Sequence, residues 1–190
     1  MNIKIPLLTD RLKIKTLEVG DIIREYVLGL NDPEVNKFLV NVRLKRQTHQ
    51  TVYNFVKMNL IANDSILFGI FIKDKDINKL IGTIRIHDIS QYHYLCSLGI
   101  CIFDKNYWGK GYGLEALKKV VEFVFTALKL HYIEAGVYKE NLLSMKLFRK
   151  AGFNIKAKYK NKYRYIDSFK EVVIFAKTNT NFNILKCKDK

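Results

Sequence analysis

The chain has 190 residues, 48% of them hydrophobic, which is enough to bury one sizeable core and too little for two independent catalytic domains. A formal charge of +15 and a pI near 9.7 raise the question of nucleic-acid binding, because clustered cations release counterions from a phosphate backbone. The Lys and Arg residues are instead spread from Lys4 to Lys190, dense only around Lys156 to Arg164, so they read as a solvated surface with no specific nucleic-acid partner.

Met1 to Pro6 alternates Ile with Lys and carries no long apolar segment, so no secretory leader is expected. Apolar runs such as Ile66 to Ile72 fall well short of the roughly 20 residues a membrane span requires, and a cytoplasmic setting is expected. Cys96, Cys101 and Cys187 have no metal-ligand spacing, so neither a metal nor a disulfide is indicated. Residues 1–177 are expected to form one domain, and 178–190 a frayed tail.

In chain order, Thr9 to Lys15 alternates Leu12 and Ile14 with charge, the period of a half-buried strand. From Asp21 to Met58 the pattern is helical and holds two or more short helices, with Asp32 placed to cap one that begins at Pro33. Ile66 to Lys73 and Leu80 to Ile86 form an antiparallel hairpin around the polar stretch Asp74 to Lys79, and Leu95 to Phe103 is a third strand. After Gly113, Leu117, Val120, Val121, Val124 and Leu128 recur at intervals of three and four, the clearest helix in the chain. His131 to Tyr138 is a strand that puts Glu134, Gly136 and Tyr138 on one face. A further helix over Leu142 to Ala151 has Asn141 as its cap and Gly152 as its stop, with Phe153 available for the accompanying apolar contact.

The segment Trp108-Gly109-Lys110-Gly111-Tyr112-Gly113 joins a strand to that strong helix. Such a junction aims several backbone N–H groups and the positive end of a helix at one spot, which favours an anion. Glycine lets the backbone approach phosphate oxygens, and Lys110 adds a cation. The loop is shorter than a Walker A loop and lacks its Lys-Ser/Thr ending, and its glycine spacing misses the dinucleotide fingerprint, so neither nucleotide hydrolysis nor NAD binding is expected.

These residues resemble the GNAT acetyltransferase superfamily, whose pyrophosphate loop reads Gln/Arg-x-x-Gly-x-Gly/Ala. Trp108 replaces the first position, as in the branch that resembles ribosomal-protein N-terminal acetyltransferases and small-molecule or amino-sugar acetyltransferases. Asn141-x-x-Ser144 followed by Lys150-Ala151-Gly152-Phe153 is similar to a second signature of that branch, as are Leu8-Thr9-Asp10-Arg11-Leu12 and Asn31-Asp32-Pro33-Glu34-Val35.

The resemblance implies an α/β (α+β) fold with a mixed, mostly antiparallel central sheet flanked by helices on both faces. It implies acetyl-CoA as acyl donor, with no metal, and a small primary amine as acceptor. Trp108, Gly109, Lys110, Gly111, Tyr112, Gly113 and Leu114 would hold the pyrophosphate; the strand around Cys101 and Phe103 would pair with pantetheine; Asn141 and Ser144 would line the thioester end. A bulge in that strand would supply an amide to the oxyanion.

The family's usual glutamate base and tyrosine acid fall on Gly136 and Phe148, neither of which can move a proton. Glu134, one side-chain pair from Gly136, is then the first candidate base, with Ser144 or Tyr138 as donors to the leaving thiolate. His87 and His93 are alternative bases, and Glu115, in the first helical turn, has no catalytic assignment. Amino-sugar N-acetylation is the first reading; N-terminal protein acetylation and a non-catalytic CoA-binding module are the others. A homodimer stays open, because an exposed strand edge and a dimer seam look alike in sequence.

Overall fold

The computed structural model describes residues 6–73 and 78–184. Cys187 and most of the expected turn at Asp74 to Lys79 lie outside them. Eight strands form one sheet in the order β1-β2-β3-β4-β5-β6-β8-β7, where β1 is Leu7–Leu8, β2 Leu12–Thr16, β3 Ile66–Ile72, β4 Leu80–Ser90, β5 Leu95–Ile102, β6 Tyr132–Tyr138, β7 Asn154–Tyr165 and β8 Ser168–Thr178. All neighbours are antiparallel except β5 and β6.

The alternation of side chains sorts the core into two layers. Leu98, Ile133, Ala135, Val137, Val173 and Phe175 point to the face covered by α5 (Tyr112–Thr126) and α6 (Leu142–Lys150), where Leu117, Val120, Val121, Val124, Met145 and Phe148 meet them. Leu17, Leu67, Phe71, Leu80 and Phe103 point to the opposite face, covered by α1 (Arg24–Asn31), α2 (Pro33–Asn36), α3 (Val40–Arg43) and α4 (His49–Ile61). The helical stretch before Met58 thus holds four helices. Asp32 caps α2 by accepting from the Glu34 amide at 2.9 Å, and Thr48 and Thr51 form a reciprocal capping box on α4. Gly29 of α1 lies so close to β5 that a Cβ there would stand 2.9 Å from that of Phe103.

The strand expected from Thr9 begins only at Leu12, as β2, because Thr9 is spent on a turn: its amide bonds the Leu12 carbonyl at 3.0 Å and its hydroxyl accepts from the Leu12 amide at 2.9 Å. The lysine-dense stretch from Lys156 to Arg164 is the edge strand β7. Charged side chains on an edge hinder the addition of another strand, which accounts for that density. The stretch expected to fray is tied down as far as it is described: Phe182 packs against Tyr94 at 5.0 Å and His131 at 4.9 Å, and the Asn179 amide bonds the His131 carbonyl at 2.8 Å.

Helix α6 ends as its sequence implies. Gly152 is left-handed at φ 82, the Phe153 amide returns to the Phe148 carbonyl at 3.0 Å, and the two rings meet edge to face at 5.2 Å. Lys177 donates to the Ala151 carbonyl at 2.7 Å, and a Cβ on Gly152 would lie 2.9 Å from its ammonium. Gly152→Ala is therefore expected to destabilise the protein by about 1–2 kcal/mol from left-handed strain, with added loss as Lys177 moves aside. Denaturant unfolding measures this, and an unchanged midpoint would contradict it.

Candidate active site

The sheet forks between β5 and β6. These strands pair only through Leu95↔Tyr132, Cys96↔Ile133 and Ser97↔Glu134, after which β5 continues along β4 to Ile102 while β6 continues along β8 to Tyr138. The gap opens toward the segment that climbs from β5 into α5. The Phe103 amide bonds the Ile81 carbonyl at 3.1 Å, so by alternation Cys101 and Phe103 turn their backbone groups to β4, and Ile100 and Ile102 turn theirs to the gap. Cys101 and Phe103, expected to pair with pantetheine, turn their backbone to β4 and contribute side chains to the core beneath α1–α4. Burial pushes the Cys101 thiol up to about 12, so it stays a small neutral hydrophobe. Pairing of β4 with β5 is unbroken from Gly82↔Ile102 to His87↔Ser97, so the fork, not the expected bulge, frees amides in this stretch.

The loop above the fork is built from its glycines. Gly109 has φ 73 and Gly111 φ 85, and Gly111 is the N-cap of α5 with no side-chain cap. The first intrahelical bond runs from the Glu115 amide to the Gly111 carbonyl at 3.0 Å, which leaves the amides of Tyr112, Gly113 and Leu114 without helical partners. Unlike α2, α4 and α6, this helix has no side-chain oxygen to receive them. Gly113 adds a second sign of fit to a phosphate group: a Cβ there would make only ordinary contacts, the nearest 3.6 Å from Ile102, so packing within the chain does not require glycine. Trp108 anchors the loop, its indole donating to the Ile102 carbonyl at 2.7 Å.

An ion-paired clamp that the sequence reading did not single out holds the loop from behind. Arg11 donates from Nε to Glu115 at 2.7 Å, pairs with the same carboxylate through a second nitrogen at 2.6 Å, and donates to the Lys110 carbonyl at 3.1 Å. Its guanidinium lies 4.1 Å from the Tyr112 ring centroid. The Glu115 carboxylate also accepts from the Thr9 hydroxyl at 2.6 Å and the Arg11 amide at 3.1 Å. Burial alone would raise the Glu115 carboxyl, but the Thr9 and Arg11 hydrogen bonds hold it below its ordinary value. The only signal in sequence was the Thr9-Asp10-Arg11-Leu12 stretch itself, with nothing to say that it reaches Glu115.

Glu134 stands at the fork, exposed, on the same sheet face as its partner Ser97. Gly136 follows on that face, where a Cβ would have room, and Gly99 across the gap has no atom within 4 Å of a Cβ position. The chain thus leaves bare backbone on both sides of the gap. Asn141 caps α6 by accepting from the Ser144 amide at 3.1 Å; among the described residues the half-buried Ser144 hydroxyl has no partner. Tyr138 shares the Glu134 face but is buried against Phe38 at 5.6 Å, Tyr163 at 5.9 Å and Tyr165 at 6.0 Å. Burial raises its hydroxyl above the ordinary tyrosine value, so it stays protonated. His87 faces Asp88 at 2.8 Å, and His93 lies in the turn at the far end of β5. Among the described residues no group of side chains could hold a metal ion.

A forked sheet with an uncapped helix aimed at the fork defines an acyltransferase built around an extended, phosphate-bearing thioester. Residues 11–154 match the family model described as the acetyltransferase (GNAT) domain, and the chain belongs to that family. It is 42% identical over 147 residues to the probable N-acetyltransferase YjcK of Bacillus subtilis, spanning 74% of this chain and 79% of that one. Among solved structures, spermidine N-acetyltransferase from Vibrio cholerae in complex with CoA and spermine superposes with a TM-score of 0.78 at 18% identity, over 92% and 99% of the two chains. RimL, a ribosomal-protein alpha-N-protein acetyltransferase in complex with coenzyme A, gives 0.81 at 12% identity, over 91% and 97%. At these identities the two structures speak to the fold alone, a mixed sheet with helices on both faces. The protein is an acetyl-CoA-dependent N-acetyltransferase, and no helix among its described residues is long and apolar enough to cross a membrane.

Proposed function

We propose that the protein transfers the acetyl group of acetyl-CoA to the primary amine of a small molecule, with an amino sugar or nucleotide-linked amino sugar as first candidate. The observation that carries this reading is the uncapped start of α5 above the β5–β6 fork, with Glu134 at the fork itself. The amides of Gly109 to Leu114 would hold the pyrophosphate, and the gap-facing backbone of Ile100 and the amide of Ile102, whose carbonyl already accepts from Trp108, would receive pantetheine. Transfer forms one N–C bond, breaks one C–S bond and removes one proton from the amine. Glu134 takes that proton, directly or through water. Ser144, with its free hydroxyl at the start of α6, hydrogen-bonds the departing thiolate, which needs little help because a thiol has a pKa of about 8.5. Tyr138 suits acceptor binding better than proton donation, since its hydroxyl is enclosed by rings. Those rings also favour a sugar, whose C–H faces stack on aromatic surfaces. The unbridged thiols of buried Cys96 and half-buried Cys101 suit a cytoplasmic setting.

Thioester consumption measured against amino sugars, polyamines and peptides tests the reading. Turnover with an amino sugar is expected. Tight CoA binding without turnover of any amine would make the protein a binding module instead.

A further inference from the structure

The cluster at the end of β6 contains a cation that no carboxylate answers. Arg43 closes α3 with its guanidinium centre 3.8 Å from the Tyr165 ring centroid. Phe38 packs between Tyr138 at 5.6 Å and Tyr165 at 6.5 Å, and Tyr163 completes the wall. Within this wall two polar atoms are buried with no hydrogen-bond partner, Arg43 Nε and the Tyr138 hydroxyl, and Tyr138 itself is only 5% exposed. The acids nearby are already matched: Glu171 pairs with Lys139 at 2.9 Å and Glu140 with Lys170 at 3.5 Å. Lys37 adds further positive charge, over the Phe38 ring. Among the described residues Arg43 has no acidic partner.

Leaving a buried donor unmet is costly, and more so for a charged one, so two such donors in one cluster point to a group that satisfies both. A guanidinium and a neutral tyrosine hydroxyl are both donors, and an oxyanion is the complement that accepts from both. Spacing agrees with a small acceptor. Tyr138 lies four residues along β6 from Glu134, about 13 Å of strand from which the reach of the two side chains is subtracted. A separation of that order matches the length of a monosaccharide or a short amino-acid derivative carrying the amine at one end and the anion at the other.

We propose that Arg43 and Tyr138 bind a carboxylate or phosphate carried by the acceptor, so that the enzyme acetylates anionic amines in preference to neutral amines and polyamines. The proposal rests on the acetyl-transfer reading above and names the acceptor class for the same site. The positive charge of Arg43 and Lys37 repels a polyamine, while Phe38, Tyr163 and Tyr165 enclose the apolar body between amine and anion.

Acetylation is measured with matched acceptors, glucosamine against glucosamine 6-phosphate and an amino-acid amide against the free amino acid, with spermidine alongside. In at least one pair the anionic member is expected to have a kcat/KM higher by roughly tenfold or more. Arg43→Gln should bring that ratio toward one, Arg43→Lys should restore part of it, and Tyr138→Phe, which keeps the ring, should lower it several-fold. A preference for the neutral or polycationic acceptor overturns the proposal. So does discrimination that survives in an Arg43→Gln protein that melts and binds CoA as the parent does. Absence of turnover with every amine would defeat acetyl transfer separately. The pocket is then judged by calorimetric titration of glucosamine 6-phosphate and glucosamine into the CoA complex. Binding that needs both the phosphate and Arg43 sustains it, and equal or absent binding of the two overturns it.

Discussion

Glu134→Gln is expected to lower kcat/KM for acetyl transfer by about 10²–10⁴-fold, the range over which a positioned general base acts. Glu134 forms the last residue pair before β5 and β6 separate, and its side chain shares a face with the bare backbone of Gly136 and with Gly99 across the gap. Glutamine keeps the size and the hydrogen-bonding carbonyl but cannot accept the amine proton. The loss should therefore appear in the step that consumes the amine, and the acetyl-CoA KM should change little, because Glu134 makes no contact with the glycine loop. A rate unchanged across pH would remove Glu134 from the mechanism. His87 is the useful comparison: it lies on the same face across Ser97, yet its ring faces Asp88, and His87→Gln is expected to cost far less.

What could be read from sequence was local. The 3.6-residue period of α5, the Asn141 cap and Gly152 stop of α6, and the glycines at 109 and 111 each carry their reason within a few residues. Alternation likewise placed Glu134, Gly136 and Tyr138 on one face. It could not say where a strand leaves its neighbour, and the fork after Ser97 and Glu134 is what turns a sheet into a site. That the backbone of Cys101 and Phe103 serves β4 was hidden for the same reason, since alternation fixes the face of a side chain but not which partner its backbone serves. The aromatic wall was hidden for a further reason. Pairing of β7 with β8 shifts between Tyr159 and Tyr163, where Asn161 takes φ 52, so the sequence could not give the register that sets Tyr163 opposite Lys170 and Tyr165 opposite Ser168.

Arg11 shows how much of the glycine loop can be held by a residue far away in the chain. Arg11→Ala removes two bonds to Glu115, one to the Lys110 carbonyl and the stacking on Tyr112 at once. The guanidinium side chain is 44% exposed, so water screens part of this network, and its loss is expected to raise the acetyl-CoA KM about tenfold and not a hundredfold. Arg11 touches the loop from behind and is a positioning residue, so kcat with saturating acetyl-CoA should fall much less than kcat/KM. Arg11→Lys should recover only a fraction, because one ammonium cannot reproduce a two-nitrogen fork and a carbonyl contact together. A loss confined to melting temperature, with the acetyl-CoA KM unmoved, would reduce the clamp to a stabilising ion pair. Acid offers a second reading of the same contact. The Glu115 carboxyl is held below its ordinary value, so the clamp is fully formed above the ordinary carboxylate range and comes apart only as pH falls through the depressed value. CoA affinity, followed by calorimetry, should therefore hold from neutral pH into the ordinary carboxylate range and drop beyond it. In Glu115→Gln, whose amide lacks the charge, affinity should start low and lose this acid limb.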